Sequence, residues 1–401
     1  MAKKTQVDLL VLGASFAGIE VLYQLWRRYD GKVTTAVVDR QRTHGYIPLV
    51  QERLLGRIPL ETSALDTAAY VESLPHTRFV EDEVVEFSPE TKTATLASGK
   101  QIRGRVVVVA LGSVLKPPAS IPGRERLVTH KFAGEFDEAR AAVETALGGE
   151  ERPDAVVVGG GITGVELAGE LAHLSVSRPE GWQAPKVTLV TAGDRLVENL
   201  PKAVGAKVAR ILDRQGVTVH LGARLAEVTE DAVVVEVGGG SKTLPAELAF
   251  WGGGVAPAPV LEALGLPRTD DGWLSVGPSM QCFATARPTH HEIFACGDAV
   301  RIDGGRGRWP TMQRAIECLW QAKVVAKNII QLMREKPDYP GGIPPMVPHR
   351  LRETFPYGVS LGAKSLLVTG PLRVHVPAVT PWFRRFLMRQ YFDRYKPLPG
   401  P

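Results

Sequence analysis

Val7 to Leu12 is almost wholly apolar, the pattern of a parallel strand covered on both faces. Gly13-Ala14-Ser15-Phe16-Ala17-Gly18 then turns the chain, Ile19 to Tyr29 carries apolar residues at helical spacing, and a second strand, Val33 to Val38, ends on Asp39. The same order returns further on without a gap. Pro153 to Val158 is the strand, and Gly159, Gly161, Gly164 and Glu166 stand where Gly13, Ser15, Gly18 and Glu20 stood. The strand that follows in this second copy, Lys186 to Val190, ends at Thr191 rather than at an acid. Between the copies, Arg78 to Val84, Phe87, Thr93 to Ala97 and Val106 to Ala110 read as a meander. Beyond the second copy, Val217 to Val237 has strand character, Leu248 to Gly254 is a strand and glycine turn, and Ile293 to Ala295 runs into Cys296-Gly297-Asp298.

Strand, glycine turn, helix, strand and acid, in that order, make a dinucleotide-binding unit. The helix N-terminus and bare backbone amides receive a pyrophosphate, and the acid accepts ribose hydroxyls. Ser15 departs from this pattern at the middle glycine, the position closest to the phosphates, where a small hydroxyl residue is tolerable and is itself a donor. Two such units in one chain imply one nucleotide held as a prosthetic group and another that visits. The fold predicted is α/β, with two Rossmann-like dinucleotide-binding domains, the second inserted in the first, and a small C-terminal region. Breaks at Leu111-Gly112-Ser113 with Pro117-Pro118, and at Gly252-Gly253-Gly254, set the first domain at 1–115 and 252–335 and the inserted domain at 116–251. The C-terminal region is 336–401, beginning with a linker from Lys336 to Pro348 rich in proline and glycine.

Composition narrows the class. A chain of 401 residues is long enough for two or three domains. Its net charge of +5 is mild, and no basic-aromatic pattern points to nucleic acid. No apolar run approaches the roughly 20 residues of a membrane-spanning helix. Met1-Ala2-Lys3-Lys4 ahead of an apolar run has the look of a signal peptide, but the first nucleotide unit consumes that run, so a cytoplasmic location is expected. The three cysteines, Cys282, Cys296 and Cys318, form no CxxC pair, which leaves no disulfide framework and no metal site to expect.

The paired fingerprints, Ala110-Leu111-Gly112-Ser113 and Ala295-Cys296-Gly297-Asp298 together resemble the two-dinucleotide-binding flavoproteins, and within them the type II NADH dehydrogenases and their apoptosis-inducing-factor-like relatives. The resemblance implies that the first fingerprint holds FAD through Gly13, Ser15, Gly18 and Asp39, with Asp298 on the ribityl chain. It implies that Gly159, Gly161, Gly164 and Glu166 hold NADH, Glu166 lying near the nicotinamide. Phe16, Ala17, Arg40, Pro48, Ala110, Gly112, Ile162, Thr163, Gly253, Gly297, Met312 and Gln313 are the further cofactor contacts expected. A helix opening at Pro310 would aim its positive end at the flavin, as in the family. The quinone-reducing branch carries Ala-Gln-x-x-x-Gln there; here Gln313 keeps the first glutamine while Met312 and Glu317 replace the alanine and the second glutamine. Four residues apart on a helix, Gln313 and Glu317 would line one pocket, so they join Glu166 as candidate catalytic residues. The absence of an acid at Thr191, with Arg195 nearby, leaves NADPH open beside NADH.

The activity this implies is hydride transfer from NAD(P)H to FAD and two-electron transfer to a quinone. Sulfide:quinone and ferredoxin-reductase-like flavoproteins, or a flavin-bound interaction protein without turnover, are the alternatives. A last helix carries Trp382, Phe383, Phe386, Leu387 and Gln390 with Tyr391 at three- and four-residue spacing, surrounded by Arg384, Arg385, Arg389 and Arg394. That pattern suits a helix lying on an anionic membrane surface, which would place the enzyme peripherally on the cytoplasmic face. Docking on its own core, or on a second copy in a homodimer, is the other reading.

Overall fold

The structure, a computed structural model, describes residues 5–131, 133–282, 291–302, 313–334, 345–352, 357–362, 364–369, 372–374 and 379–399. Its two parallel sheets grow from the two apolar runs that precede the glycine turns. In the first, Thr5–Leu12 lies between Thr35–Asp39 and Gln101–Val109, in register Val11 with Val37 and with Val108. These strands have helices on their faces, so both sides are apolar and burial of Leu9 to Leu12 is complete. Thr77–Glu81 pairs in parallel with Thr35–Asp39 at the edge. The apolar pattern places this stretch in the meander; the chain instead breaks at Asp82, and the antiparallel part is Val84–Ser88, Thr93–Leu96 and Gln101–Val109.

The second sheet is formed by Thr218–His220, Lys186–Val190, Asp154–Val158 and Leu248–Trp251, all parallel. A separate antiparallel sheet, Arg224–Val228, Ala232–Val237 and Gly240–Pro245, follows it. The chain leaves the first sheet through Ser113–Leu115 and comes back through Val255–Pro257, and these two passages pair with each other. Ile293–Ala295 then rejoins the first sheet beside Val107 to Val109. The second unit is therefore an insertion in the first.

The C-terminal region touches both units. A three-stranded antiparallel sheet is formed by Tyr357–Leu361, Lys364–Thr369 and Leu372–Val374. It lies against helix Ile162–His173 of the second unit so closely that a Cβ on Gly169 would come within 2.6 Å of the Leu361 backbone. The last helix, Val379–Arg394, returns to the first unit and buries Met388 and Tyr391, with Tyr395 just beyond its end, in that unit's core.

Candidate active site

The glycine turns repeat one piece of geometry. Gly13 and Gly159 have φ of +100° and +127°, a region open to glycine and strained for other residues. A Cβ on Gly18 would lie 2.0 Å from the Gly13 carbonyl oxygen, and one on Gly164 1.8 Å from that of Gly159, so the outer glycines are required by the close packing of helix on strand. The middle position differs: a Cβ on Gly161 meets no protein atom within 4 Å. A side chain such as that of Ser15 at the matching position is thus compatible with the turn.

Both units contribute to one cleft of about 1510 Å³. Gly13, Ser15, Phe16, Ala17, Asp39, Arg40, Pro48, Ala110, Gly112, Gly297, Asp298 and Gln313 line it from the first unit, and Ile162, Thr163 and Glu166 from the second. Gly18, Gly159, Gly161, Gly164 and Gly253 are not part of this wall. Met312 lies outside the described residues, as does Pro310.

Asp39 closes the first turn. Its Oδ2 accepts the Ala14 amide at 2.7 Å and its Oδ1 the Gln41 amide at 3.0 Å, while burial raises its pKa. At the opposite end, Asp298 is held by Lys131 Nζ at 2.7 Å, Ser113 Oγ at 3.0 Å and Cys318 Sγ at 3.3 Å. Burial pushes the Asp298 pKa up, but the Lys131 ammonium and these hydrogen bonds outweigh it and hold the carboxyl below its ordinary value. Ser113 belongs to the Ala110-Leu111-Gly112-Ser113 motif, whereas Lys131 has no signal in the sequence; a lone lysine past a strand carries no motif.

Glu166 is buried at the junction of the two units. Its Oε1 accepts the Ser360 amide at 2.9 Å and faces Arg384 Nη2 at 3.9 Å. Burial raises its pKa to about 7, opposed chiefly by the Arg384 guanidinium. Arg384 also reaches Glu52 Oε1 at 3.3 Å and donates to the Pro48 carbonyl. Ser360 comes from the C-terminal sheet, 194 residues from Glu166, and Arg384 from the last helix, further still along the chain, both beyond the reach of local spacing.

Two expectations are corrected. The helix after Gly297-Asp298 begins at Ala315, so Gln313, with φ of +64°, precedes it and does not share a helical face with Glu317. Gln313 lines the cleft, whereas Glu317 is 1 % exposed behind it, its Oε1 bonded to His349 Nε2 at 2.5 Å and to Gln321 Nε2 at 3.2 Å. Gln321 in turn accepts the Gly297 amide at 2.8 Å, so Glu317 braces the Gly-Asp turn rather than facing a substrate. Arg195 is engaged by the carbonyls of Val197, Glu198 and Leu200. The Glu198 carboxylate instead lies over Gly193, beside the strand end where Thr191 replaces an acid.

All three cysteines are buried and free. Burial pushes the Cys282 thiol up to about 12 and raises Cys296 and Cys318 as well, the opposite of what an attacking thiolate needs.

Comparison with known proteins agrees with this construction. The chain is 27 % identical over 375 residues to the type II NADH:quinone oxidoreductase of Haemophilus influenzae, covering 82 % of this chain and 81 % of that protein. It is 24 % identical to the type II NADH:quinone oxidoreductase NdhA of Mycobacterium tuberculosis, covering 80 % and 72 %. In fold it matches NDH2 from Plasmodium falciparum in complex with NADH, with a TM-score of 0.79, 12 % identity and coverage of 98 % and 97 %. The sulfide:quinone oxidoreductase of Aquifex aeolicus gives a TM-score of 0.78 at 16 % identity, covering 98 % and 91 %. Residues 7–321 match the family model of the pyridine nucleotide-disulphide oxidoreductases, and the chain belongs to that family.

Proposed function

We propose that this protein is an FAD-dependent NADH:quinone oxidoreductase. The observation that carries the reading is the single cleft whose walls hold the first glycine turn, the Gly-Asp turn and, from the second unit, Ile162, Thr163 and Glu166. FAD, once bound, supplies the hydride acceptor and the two-electron donor. The residues supply the rest. The Gly13 to Gly18 turn and Asp39 take the adenosine end of FAD, and Asp298, fixed by Lys131, takes hydrogen bonds from its ribityl hydroxyls. Gly159, Gly161 and Gly164 take the NADH pyrophosphate. Glu166 lies at the meeting point of the two units, where the nicotinamide has to approach the flavin. The N-terminus of helix Ala315–Met333 opens on the cleft through Gln313, Ala315 and Ile316 and favours negative charge there.

NADH is favoured over NADPH because Arg195 is engaged by carbonyls of its own loop and Glu198 places a carboxylate near the strand end. Quinone is favoured over sulfide chemistry by the names of the relatives and by the burial of all three cysteines. Among the described residues no helix is long and apolar enough to cross a membrane. Trp382, Phe383, Phe386 and Leu387 remain 40–62 % exposed on the last helix, which supports peripheral attachment to the lipid that holds the quinone.

Anaerobic mixing tests the reading. NADH bleaches the flavin absorbance faster than NADPH does, and a short-chain quinone restores it. Bleaching that quinone does not reverse would move the acceptor to a redox protein, and no bleaching with either coenzyme would refute the reductase reading.

A further inference from the structure

Ser15 begins helix Phe16–Arg28, yet its side chain makes no capping bond to the helix amides. A serine at this position ordinarily accepts an amide of the first turn. Here Ser15 Oγ lies 3.1 Å from His44 Nδ1, and His44 Nε2 lies 3.2 Å from the Tyr391 hydroxyl. His44 and Tyr391 are each 7 % exposed, and the His44 ring stands edge-on to Phe16 at 4.6 Å. All three residues line the cleft. Burial lowers the His44 pKa to about 3, so the ring is neutral and carries one N–H.

One N–H allows two arrangements of protons. In the first, Tyr391 O–H donates to Nε2 and Nδ1–H donates to Ser15 Oγ, which leaves the Ser15 proton free to donate into the cleft. In the second, Ser15 donates to Nδ1 and Nε2–H donates to the Tyr391 oxygen, and the Tyr391 proton has no second partner among the described residues. An anionic acceptor beside Ser15 selects the first. Ser15 occupies the middle place of the glycine turn, where a dinucleotide's pyrophosphate approaches most closely.

We infer that Tyr391, His44 and Ser15 form a positioning chain that turns the Ser15 hydroxyl toward the pyrophosphate of FAD, so that the last helix of the protein sets a donor in the first nucleotide turn. This rests on the flavin reading above. The chain offsets the departure from glycine at position 15: the hydroxyl adds a hydrogen bond to an anion where a bare turn has amides alone. It also leaves the amides of the helix N-terminus uncapped and available to the same ligand.

A double-mutant cycle on the full-length protein tests it, with FAD affinity measured by fluorescence quenching as the apoprotein is reconstituted. Tyr391→Phe removes one hydroxyl and keeps the ring packed. In the otherwise unaltered protein it weakens FAD binding by about tenfold, the loss expected for a hydrogen bond to a charged group. In a Ser15→Gly background it has no further effect, because the donor it orients is gone. Equal losses in both backgrounds would reduce Tyr391 to packing and overturn the chain, as would no loss in either. An unaltered protein that takes up no FAD would refute the flavin reading itself. Nitrogen NMR of the His44 ring in the FAD-loaded protein is the second measurement: a proton on Nδ1 is expected, and one on Nε2 would overturn the proposal.

Discussion

Glu166 carries the clearest signature in pH. Its pKa in the folded chain is about 7 against an ordinary 4.5, because burial disfavours the carboxylate more than Arg384 and the Ser360 amide favour it. Between those values the folded protein holds a proton that the unfolded chain has released, so stability falls as pH rises through the interval. Asp39 and Glu52 are shifted in the same direction by burial and add to the slope. Thermal unfolding at about pH 5 and about pH 8 measures it: the midpoint of the native protein drops between the two, and Glu166→Gln drops less. An equal drop in both proteins would show that Glu166 does not titrate in this range. Glu166 was legible in the sequence because it sits at a fixed offset inside a glycine fingerprint. The partners that set its pKa were not, since Ser360 and Arg384 reach it only through tertiary packing. The glycines divide in the same way. Gly13, Gly18, Gly159 and Gly164 are demanded by backbone contacts that every such turn repeats, whereas the tolerance of Ser15, expected from its small size, has its physical reason in the open space that a Cβ at the matching Gly161 would meet.

Periodicity predicts the last helix but gives it one apolar stripe where the structure has two faces. Periodicity groups Tyr391 with Phe386 and Leu387, but the structure separates two faces. Met388 and Tyr391, with Tyr395 past the helix end, enter the core, while Trp382, Phe383, Phe386 and Leu387 face outward. Aromatic residues suit both environments, so spacing alone does not assign the face. The buried face also engages equivalent glutamates of the two nucleotide units. Arg394 lies 3.3 Å from Glu20, to which Tyr395 also donates, and Arg384 faces Glu166. Removing residues 380–401 therefore strips Met388, Tyr391 and Tyr395 from the core and the cation from Glu20, and is expected to lower thermal stability as well as vesicle binding. Trp382→Gln with Phe386→Gln separates the effects. That pair is expected to abolish sedimentation with anionic vesicles while leaving the unfolding midpoint within a degree or so, as is usual for exposed positions. Retained sedimentation would refute membrane attachment through this face. The helix start after Gly297-Asp298 was less legible, since nothing in Gln313-Arg314-Ala315 announces that Gln313 takes a left-handed backbone and leaves the helix to begin at Ala315.

At the scale of the molecule, the two nucleotide units meet through a buried apolar contact, in which Val50, Leu54 and Leu55 join the core of the second unit, and through ion pairs. Lys131 of the second unit reaches back to Asp298 of the first, Arg57 of the first pairs with Glu170 of the second, and Arg384 bridges Glu52 and Glu166. Each pair has at least one member less than 20 % exposed, and Lys131, Asp298, Arg384 and Glu166 line the cleft. The ion pairs add a fixed orientation to this apolar contact, which suits a pair of domains whose ligands must come within reach of each other. The Lys131 pair is the most telling because its carboxylate belongs to the Gly-Asp turn. Lys131→Met strands the Asp298 charge and is expected to cost about 3 kcal/mol in urea unfolding near neutral pH, the range found when one partner of a buried pair is removed. Asp298→Asn added to Lys131→Met should recover part of that loss, since the second change removes the stranded charge. The sign of the pH dependence follows from the lowered Asp298 pKa: the pair's contribution is complete above the ordinary carboxylate value of 3.8 and disappears as pH falls below it. The native protein and Lys131→Met should therefore converge in acid. A difference that persists unchanged there would assign the effect of Lys131 to packing of its aliphatic stem, and with it would fall the view that charge aligns the two units.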